Sequence, residues 1–360
     1  MKRIYLLFFS LTISLFALTA QASENQKTNA STDEEFDPTA VIMHHISDAH
    51  DWHLWDKVDK ETGEKHGVSI PLPVIVWHKG QLDVFMSSAF HHGEQTVVKG
   101  ANEYALYHNK IYVAENGELT FDEHHHPTNA QPLDFSITKN VASMMFSALL
   151  LLAVFIPMGR KYKKGGKVPS GLQGFMEPII LFIKEDIAQP NIGEHKYQRF
   201  LPYLITVFFF IWFNNMLGLI PFFPGGANLT GNIAVTFTLA AITMIITNVS
   251  GNKSYWKHVF ATPGVPIWLA PIMIPVELIG ILSKPFALMI RLFANITAGH
   301  IIVLSLISLI FIFKTIWIAP VSIAFVLFMD VLELLVALLQ AYIFTLLSAL
   351  FIGLAVQEHH

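Results

Sequence analysis

Residues 283–300 read SKPFALMIRLFANITAGH and lie inside an apolar segment that runs from about 267 to 313. The segment is long enough to cross a membrane, and Arg291 stands near its middle. An arginine inside a membrane span is costly unless it reaches water or a partner, so such a residue by default indicates a functional site. The stretch therefore predicts a membrane protein whose function involves Arg291.

The composition of the whole chain also indicates a membrane protein. Of its 360 residues, 53% are hydrophobic and only 14% are charged. The formal net charge of −4 and the lack of a strongly cationic block argue against nucleic acid as a partner. Because there is no cysteine, a disulfide framework, a thiolate nucleophile and a Cys-ligated metal are excluded.

The N-terminus has the order of residues that is typical of a secretory signal peptide. Lys2 and Arg3 precede an apolar run that ends near residue 20, and Ala20-Gln21-Ala22 has the small-x-small pattern of a cleavage site. We expect 1–22 to be a signal peptide that is removed after Ala22. The alternative is an anchor retained as a first span, although the apolar run is short for one.

Residues 23–135 are expected to form a His-rich extracytoplasmic domain of α+β type. Its first residues, up to about 40, are polar, and short β-branched or aromatic segments at 74–77, 82–86, 104–107 and 110–113 predict strands. The region holds twelve of the 17 histidines. This makes His44, His45, His50 and His53 weak candidates for a zinc or copper site. Their spacing matches no fixed ligand pattern, so a His-rich solvated surface is the alternative, and we predict no metal or other cofactor.

Residues 136–360 are expected to form an all-α polytopic membrane domain with about five spans. Apolar runs lie at about 137–158, 201–222, 232–249, 267–313 and 320–356. The last two are too long for upright spans and predict a long, tilted helical hairpin. The loop after the first span is basic, which by the positive-inside rule indicates that it and the C-terminus are cytoplasmic.

A polar stripe runs along the penultimate apolar segment. Glu277, Lys284 and Arg291 recur every seven residues, and Asn295 lies about 40° from Arg291 around a helix. Alanines flank Arg291, so another helix could approach it closely. A guanidinium is a fixed positive charge and a poor proton carrier, and the chain offers no obvious carboxylate partner for it.

His300 is expected on the opposite side of the same helix from Arg291. The final helix carries Glu333 and Gln340 seven residues apart, so an antiparallel hairpin would allow His300 and Glu333 to approach each other. A histidine and a carboxylate in a water-accessible cleft can pass protons. A buried ion pair that only fixes the helix register is the alternative.

The third span also has one polar side, formed by Asn232, Thr236, Thr243 and Thr247. Such a stripe faces protein or water rather than lipid. Hydrogen bonding between helices and the lining of an aqueous path are the two interpretations.

The motif RLFAN at 291–295, with SKP before it at 283–285 and Ala298-Gly299 after it, resembles subunit a of the F-type ATP synthase. The resemblance covers about 130–356. It implies a non-catalytic, proton-translocating stator subunit in which two aqueous half-channels meet at Arg291, which faces the carboxylates of the c-subunit ring. It also implies b-type peripheral stalk subunits as partners and a bacterial inner membrane as the location, with no nucleotide chemistry and no phosphate loop.

The resemblance and the polar stripes together define the candidate site residues. Those expected in proton translocation are Arg291, His300, Glu333, Glu277, Asn295 and Gln340. Those expected to line the channels are Asn215, Asn232, Thr236 and Lys284.

This sequence differs from the family pattern in three respects. Many members carry a carboxylate after Ala-Gly and a histidine seven residues before the glutamine, whereas here these positions are His300 and Glu333. Gly218 stands where some members have an acid, and the N-terminal domain is longer than is usual. The competing functions are a self-contained secondary ion transporter or channel and a membrane-anchored metal-binding receptor.

Overall fold

The computed structural model of the protein describes residues 38–58, 65–93, 95–124, 126–163, 171–220, 223–260, 269–313 and 315–357. The expected signal peptide, 1–22, lies outside these residues and stays a prediction. Apart from Pro38, all of the described residues belong to one compact unit, 39–360.

The N-terminal part of this unit has one helix and eight described strands. They are α1 (Pro38–Ile46), β1 (Asp51–Val58), β2 (Lys65–Pro71), β3 (Pro73–His78), β4 (Gln81–Met86), β5 (Val97–Lys99), β6 (Asn102–Tyr107), β7 (Lys110–Val113) and β8 (Leu133–Asp134). A 3-10 turn, Ser87–Gly93, follows β4. Three small antiparallel sheets have the orders β1-β2, β4-β3-β8 and β5-β6-β7. The four predicted strands are confirmed as β3, β4, β6 and β7.

Two of the hairpins close through two-residue turns with positive backbone φ angles. Lys79 and Gly80 join β3 to β4, and His108 and Asn109 join β6 to β7. Both central residues of such a turn must adopt positive φ, a conformation that glycine and asparagine tolerate well. The turns fix the strand register, so that Val74 pairs with Phe85 and both contribute to the core of the domain.

A buried carboxylate connects two of the sheets. Asp83 on β4 accepts hydrogen bonds from the Tyr104 hydroxyl at 2.7 Å, from Asn102 Nδ2 at 3.2 Å and from Gln81 Nε2 at 2.8 Å. Burial alone would raise the pKa of Asp83, but the hydrogen bonds from Tyr104, Asn102 and Gln81 outweigh it and leave the pKa below its ordinary value. Burial and the neighbouring Asp83 carboxylate raise the pKa of Tyr104. The ionised form of Asp83 therefore stabilises the folded domain.

The C-terminal part is helical. Its helices are α2 (Lys139–Lys163), α3 (Leu172–Phe182), α4 (Gln189–Ile192), α5 (Tyr197–Gly218), α6 (Ile233–Val249), α7 (Lys253–Phe260), α8 (Ala270–Phe313) and α9 (Ala319–Val356), with a π turn, Ile183–Ala188, before α4. Four of them, α2, α5, α8 and α9, are long and apolar enough to cross a membrane. A fifth span results if α6 and α7, which are bent by 103° at their junction, count together. The described helices thus agree with the expected number of about five spans.

Helices α8 and α9 form the expected long hairpin. They contain 44 and 38 residues, which corresponds to lengths of about 66 and 57 Å, whereas a hydrocarbon core is only about 30 Å thick. Pro275 and Pro285 lie inside α8 without ending it. The two helices run antiparallel, because Asn295 contacts Gln340 and the Ser322 hydroxyl donates to the carbonyl of Leu306.

Helix α5 supplies much of the apolar core of the membrane part. Leu204, Phe208 and Ile211 are buried against neighbours that include Phe344 and Ile352 of α9. Helix α6 packs mainly on α8. The hairpin is thereby packed against both α5 and α6, which positions the polar residues described below.

We predict that replacing the buried carboxylate will weaken the N-terminal domain. Asp83→Asn should destabilise it by about 1–3 kcal/mol, because the Tyr104 hydroxyl loses its charged acceptor. Since the folded pKa of Asp83 is lowered, its contribution is present above about pH 4 and is lost as the pH falls further. Hydrogen exchange of β4 and β6 in the purified full-length protein measures both effects.

The matched control is Glu118→Gln, because this substitution also removes a carboxylate charge but lies at an exposed position. Equal exchange rates in Asp83→Asn and Glu118→Gln would contradict a stabilising role for the buried charge.

Candidate functional site

Arg291 lies on an uncovered face of α8. It is exposed together with Ala287 and Ala294, whereas Leu288 and Leu292, about 60° and 100° away around the helix, are buried. Within the part of the chain that the structure describes, no carboxylate forms an ion pair with Arg291. The predicted small-residue face around the arginine is therefore open to a second helix.

One turn further along α8, Asn295 joins the hairpin partner. Its Nδ2 donates to Gln340 Oε1 at 2.9 Å. Gln340 is buried, and its own Nε2 has no hydrogen-bond partner. The two predicted residues thus meet directly, and they link the α8 face next to Arg291 to the interior of the hairpin.

Glu333 of α9 lies directly against Gly299. A Cβ atom added at position 299 would come within 2.5 Å of Glu333 Oε1 and 3.2 Å of its Cγ. Real Cβ atoms do not approach other atoms this closely, so any other residue at 299 would displace the glutamate side chain. Oε1 of Glu333 is buried and has no hydrogen-bond partner.

His300 lies beside Gly299 but is directed toward the end of α5. A Cβ added at Gly218 would be 3.7 Å from His300 Nε2 and 3.3 Å from the carbonyl oxygen of Ala227. The glycine at 218, which departs from the family pattern, thus leaves the space beside the histidine. Among the described contacts, no hydrogen bond or ion pair joins His300 to Glu333. Glu333 contacts α8 at Gly299, whereas His300, the next residue of α8, is directed toward Gly218.

Glu277 and Lys284 occupy the first half of α8. Glu277 Oε1 lies 3.8 Å from His258 Nδ1 of α7, and Lys284 Nζ lies 5.7 Å from the ring centre of Phe351. Lys284 also borders a cavity of about 20 Å³, which is room for about one water molecule. The other polar residues lining this cavity are Thr243, Thr247, Asn248 and Tyr255.

The polar stripe of the third span faces protein. Thr236, Thr243 and Thr247 are buried, and their hydroxyls donate to carbonyls of their own helix. Thr243 also contacts the Tyr203 hydroxyl of α5 at 2.7 Å. Asn232 caps α6 by accepting from the backbone nitrogen of Ala234. These contacts favour the interpretation that the stripe packs helices together.

Asn215 has a similar packing role near the end of α5. Its Oδ1 accepts from the Thr230 hydroxyl at 2.6 Å, and its Nδ2 donates to the carbonyl of Ala337 at 3.5 Å. It therefore connects α5, the loop before α6, and α9.

A further polar stripe, on α2, was not predicted from the sequence. Asn140, Ser143 and Ser147 are all buried. Their spacing of three and four residues places them on one face of a helix, so the signal was present in the sequence. Asn140 Oδ1 has no hydrogen-bond partner, and Asn214 Oδ1 and Thr297 Oγ1 in the neighbouring helices also have none.

The histidines of the N-terminal domain form no metal cluster among the residues that the structure describes. His50 is buried and its Nε2 lies 2.9 Å from Asp134 Oδ2, while His53 is exposed. The side chains of His44 and His45 lie outside the described part, so the weak metal hypothesis for this pair stays untested. Burial tends to raise the pKa of Asp134, but hydrogen bonds from His50 and Ser136 leave it lowered.

The fold and the site define a class: a polytopic α-helical membrane protein that carries charged and polar groups inside its spans and an uncovered arginine on one of them. Comparison with known proteins then identifies the family. A family model described as "ATP synthase A chain" matches residues 141–353. A second one, described as "Domain of unknown function (DUF8433)", matches residues 41–135.

Individual proteins that are similar to this chain agree with the match to the ATP synthase A chain. "ATP synthase subunit a" of Chloroherpeton thalassium is 50% identical over 235 residues, which are 63% of this chain and 69% of the relative. "ATP synthase subunit a 2" of Chlorobaculum tepidum is 47% identical over 256 residues, 68% of this chain and 71% of the relative. "ATP synthase subunit a" of Myxococcus xanthus is 46% identical over 234 residues, with shares of 63% and 75%. The chain belongs to the ATP synthase subunit a family.

The contact between Gly299 and Glu333 can be tested by crosslinking, because the native chain has no cysteine. In Gly299→Cys/Glu333→Cys the two Cβ atoms lie near the spacing of about 3.5–4.5 Å that a disulfide requires. We expect most of the protein to form an internal disulfide under mild oxidation, as measured by electrophoresis after protease cleavage between α8 and α9.

The control pair is Gly299→Cys/Leu334→Cys, since Leu334 is exposed and turned by about 100° from Glu333 around α9. Equal crosslinking of both pairs, or none in the first, would show that the hairpin packs in another register.

Proposed function

We propose that this chain is the proton-translocating stator subunit of an F-type ATP synthase, and that it performs no nucleotide chemistry itself. Its family membership supports the complex. One observation carries the mechanism: Arg291 lies on an open, small-residue face, and none of the described carboxylates forms an ion pair with it. An arginine inside a membrane needs water or a partner carboxylate. The partner we propose is the carboxylate of each c subunit that passes this face in the ring.

The inlet half-channel is proposed to run between α2, α5, α8 and α9. Buried polar atoms without a hydrogen-bond partner occur here on Asn140, Asn214, Thr297 and Glu333. Such atoms are rare in proteins unless water satisfies them, so they support a hydrated path. His300 lies in the middle of this region, beside Gly218 and one residue from the Glu333 contact. His300 and Glu333 would pass protons to each other through water.

The outlet is proposed along the first half of α8. Glu277, His258 and Lys284 provide ionisable groups there, and four other polar side chains take part in lining the small cavity beside Lys284. A proton that leaves the ring carboxylate would depart by this side. Arg291 stands between inlet and outlet, and because its guanidinium cannot deprotonate, it would keep protons from passing directly between them.

The proposed orientation follows from charge and from the N-terminus. The loop after α2 is basic and would be cytoplasmic, which leaves the domain at 23–135 outside and the C-terminus inside. With a signal peptide at 1–22 and a membrane domain at 136–360, the location would be a bacterial inner membrane. The partners would be the c-subunit ring, the b-type stalk subunits and the lipid itself, with protons as the coupling ion.

The decisive test of this proposal is Arg291→Ala in membrane vesicles that contain the whole complex. We expect loss of ATP-driven proton pumping, because no fixed charge would then release the proton from the ring carboxylate or separate the two paths. Fluorescence quenching of a pH-sensitive dye measures pumping, and native electrophoresis measures assembly.

Arg160→Ala is the matched control, because Arg160 is an exposed arginine at the end of α2. Pumping at the normal rate by an assembled Arg291→Ala complex would refute the proposal. It would favour a self-contained transporter instead.

A second prediction concerns the fit of Glu333 against Gly299. Gly299→Ala should lower proton pumping several-fold, because the new methyl group displaces the carboxylate from its place against Gly299. Adding Glu333→Asp, which shortens the side chain by one methylene, should restore part of the rate. Gly280→Ala is the control, since a Cβ there meets no atom within 4 Å. If the Gly299→Ala variant pumps protons at the normal rate, Glu333 is not part of the proposed path.

A further inference from the structure

Hydrogen bonds that involve a carboxylate and backbone groups join the N-terminal domain to the first residues of α2. The Asp48 carboxylate accepts from the Thr138 hydroxyl at 2.9 Å and from the backbone nitrogen of Asn140 at 3.0 Å. The backbone nitrogen of Lys139 donates to the carbonyl of Ala49 at 2.8 Å. Because free N–H groups and a partial positive charge lie at the start of a helix, Asp48 stabilises this junction.

The same domain contacts the loop that borders the candidate inlet. Trp52 is buried, and its ring lies 5.1 Å from that of Phe223. The loop continues to Ala227, whose carbonyl oxygen lies against Gly218, the residue beside His300. The start of β1 is therefore connected through this loop to the surroundings of His300.

Lys139 is the charged residue at this junction. It is the first residue of α2, its backbone nitrogen is bonded to Ala49, and the next backbone nitrogen, that of Asn140, is bonded to Asp48. Its ammonium lies within electrostatic range of Asp48, of Asp51 and of His300. Two further carboxylates lie on α9: Glu333, which packs against Gly299, the residue before His300, and Asp330, which interacts electrostatically with Glu333. The ammonium of Lys139 would repel a proton that arrives on His300, unless nearby carboxylates offset it.

We propose that the N-terminal domain forms the outer vestibule of the proton inlet, in which Asp48 and Asp51 offset the charge of Lys139 so that His300 can accept protons. This inference rests on the proposed function. It assigns the domain a positioning role: its carboxylates touch no reacting group and act through Lys139. Asp48 is also needed for the junction with α2, so Asp51 is the residue whose charge can be tested separately.

The test measures passive proton flux through the membrane sector of the assembled complex in vesicles. Asp51→Asn should lower the flux about three- to tenfold, because the uncompensated Lys139 then disfavours proton uptake. Adding Lys139→Gln to Asp51→Asn should restore it, which a merely structural role of Asp51 would not predict. Asp51→Glu should keep most of the flux, and Glu118→Gln, an exposed charge change in the same domain, should leave it unchanged.

Two results would overturn the inference. One is normal flux in an assembled Asp51→Asn complex, and the other is a lowered flux that Lys139→Gln does not restore. Should Asp51→Asn fail to assemble, Lys139→Gln alone decides: flux at or above the wild-type level supports the inference, and a fall contradicts it. If Asp51→Asn leaves the proton flux unchanged while Arg291→Ala still abolishes pumping, the vestibule inference is refuted and the proposed function is retained.

Discussion

The close packing of α8 on α9 at Gly299 is the contact on which the arrangement of the polar residues depends. The absence of a side chain at this position lets Glu333 lie against the backbone of α8. The hydrogen bond between Asn295 and Gln340, one turn away, fixes the same register a second time. A slip of one residue would rotate each polar group by about 100° and expose it to lipid. Two contacts therefore determine which face of α8 remains free.

This register keeps the fixed cation apart from the carboxylate. Arg291 is on the uncovered face, whereas Glu333 is inside the hairpin and has an oxygen without a partner. If the two were adjacent they would form an internal ion pair, which is stable but leaves neither charge available. Glu333 contacts α8 at Gly299, eight residues or about 12 Å along the helix from Arg291, so the two groups have different environments. The arginine can meet a partner from outside the chain, and the glutamate can meet water.

Periodicity predicted the helices and the residues on their faces well. The antiparallel hairpin itself was expected, but the hydrogen bond between Asn295 and Gln340 was not predicted. The expected approach of His300 to Glu333 stays a prediction, because Glu333 lies against Gly299 and His300 is directed toward Gly218. The direction of His300 toward Gly218 did not follow, because it depends on where α5 ends. The strands β1, β2, β5 and β8 were also not predicted. Strand β8 has only two residues and depends on its pairing with β3, a contact distant in sequence that local propensity does not reveal.

The exchange of histidine and carboxylate connects the site to the N-terminal domain. The resemblance implies that many family members have an acid after Ala-Gly, and at that position it could balance the charge of Lys139 directly. Here His300 occupies the position, and because a histidine is either neutral or positive, it cannot balance that charge. The carboxylate has moved to Glu333, on the far side of Gly299. A nearby lysine then needs another counter-charge, and Asp48 and Asp51 are the ones that the structure provides. In the proposed vestibule, the N-terminal domain and the exchanged pair inside the membrane are thus two parts of one electrostatic arrangement.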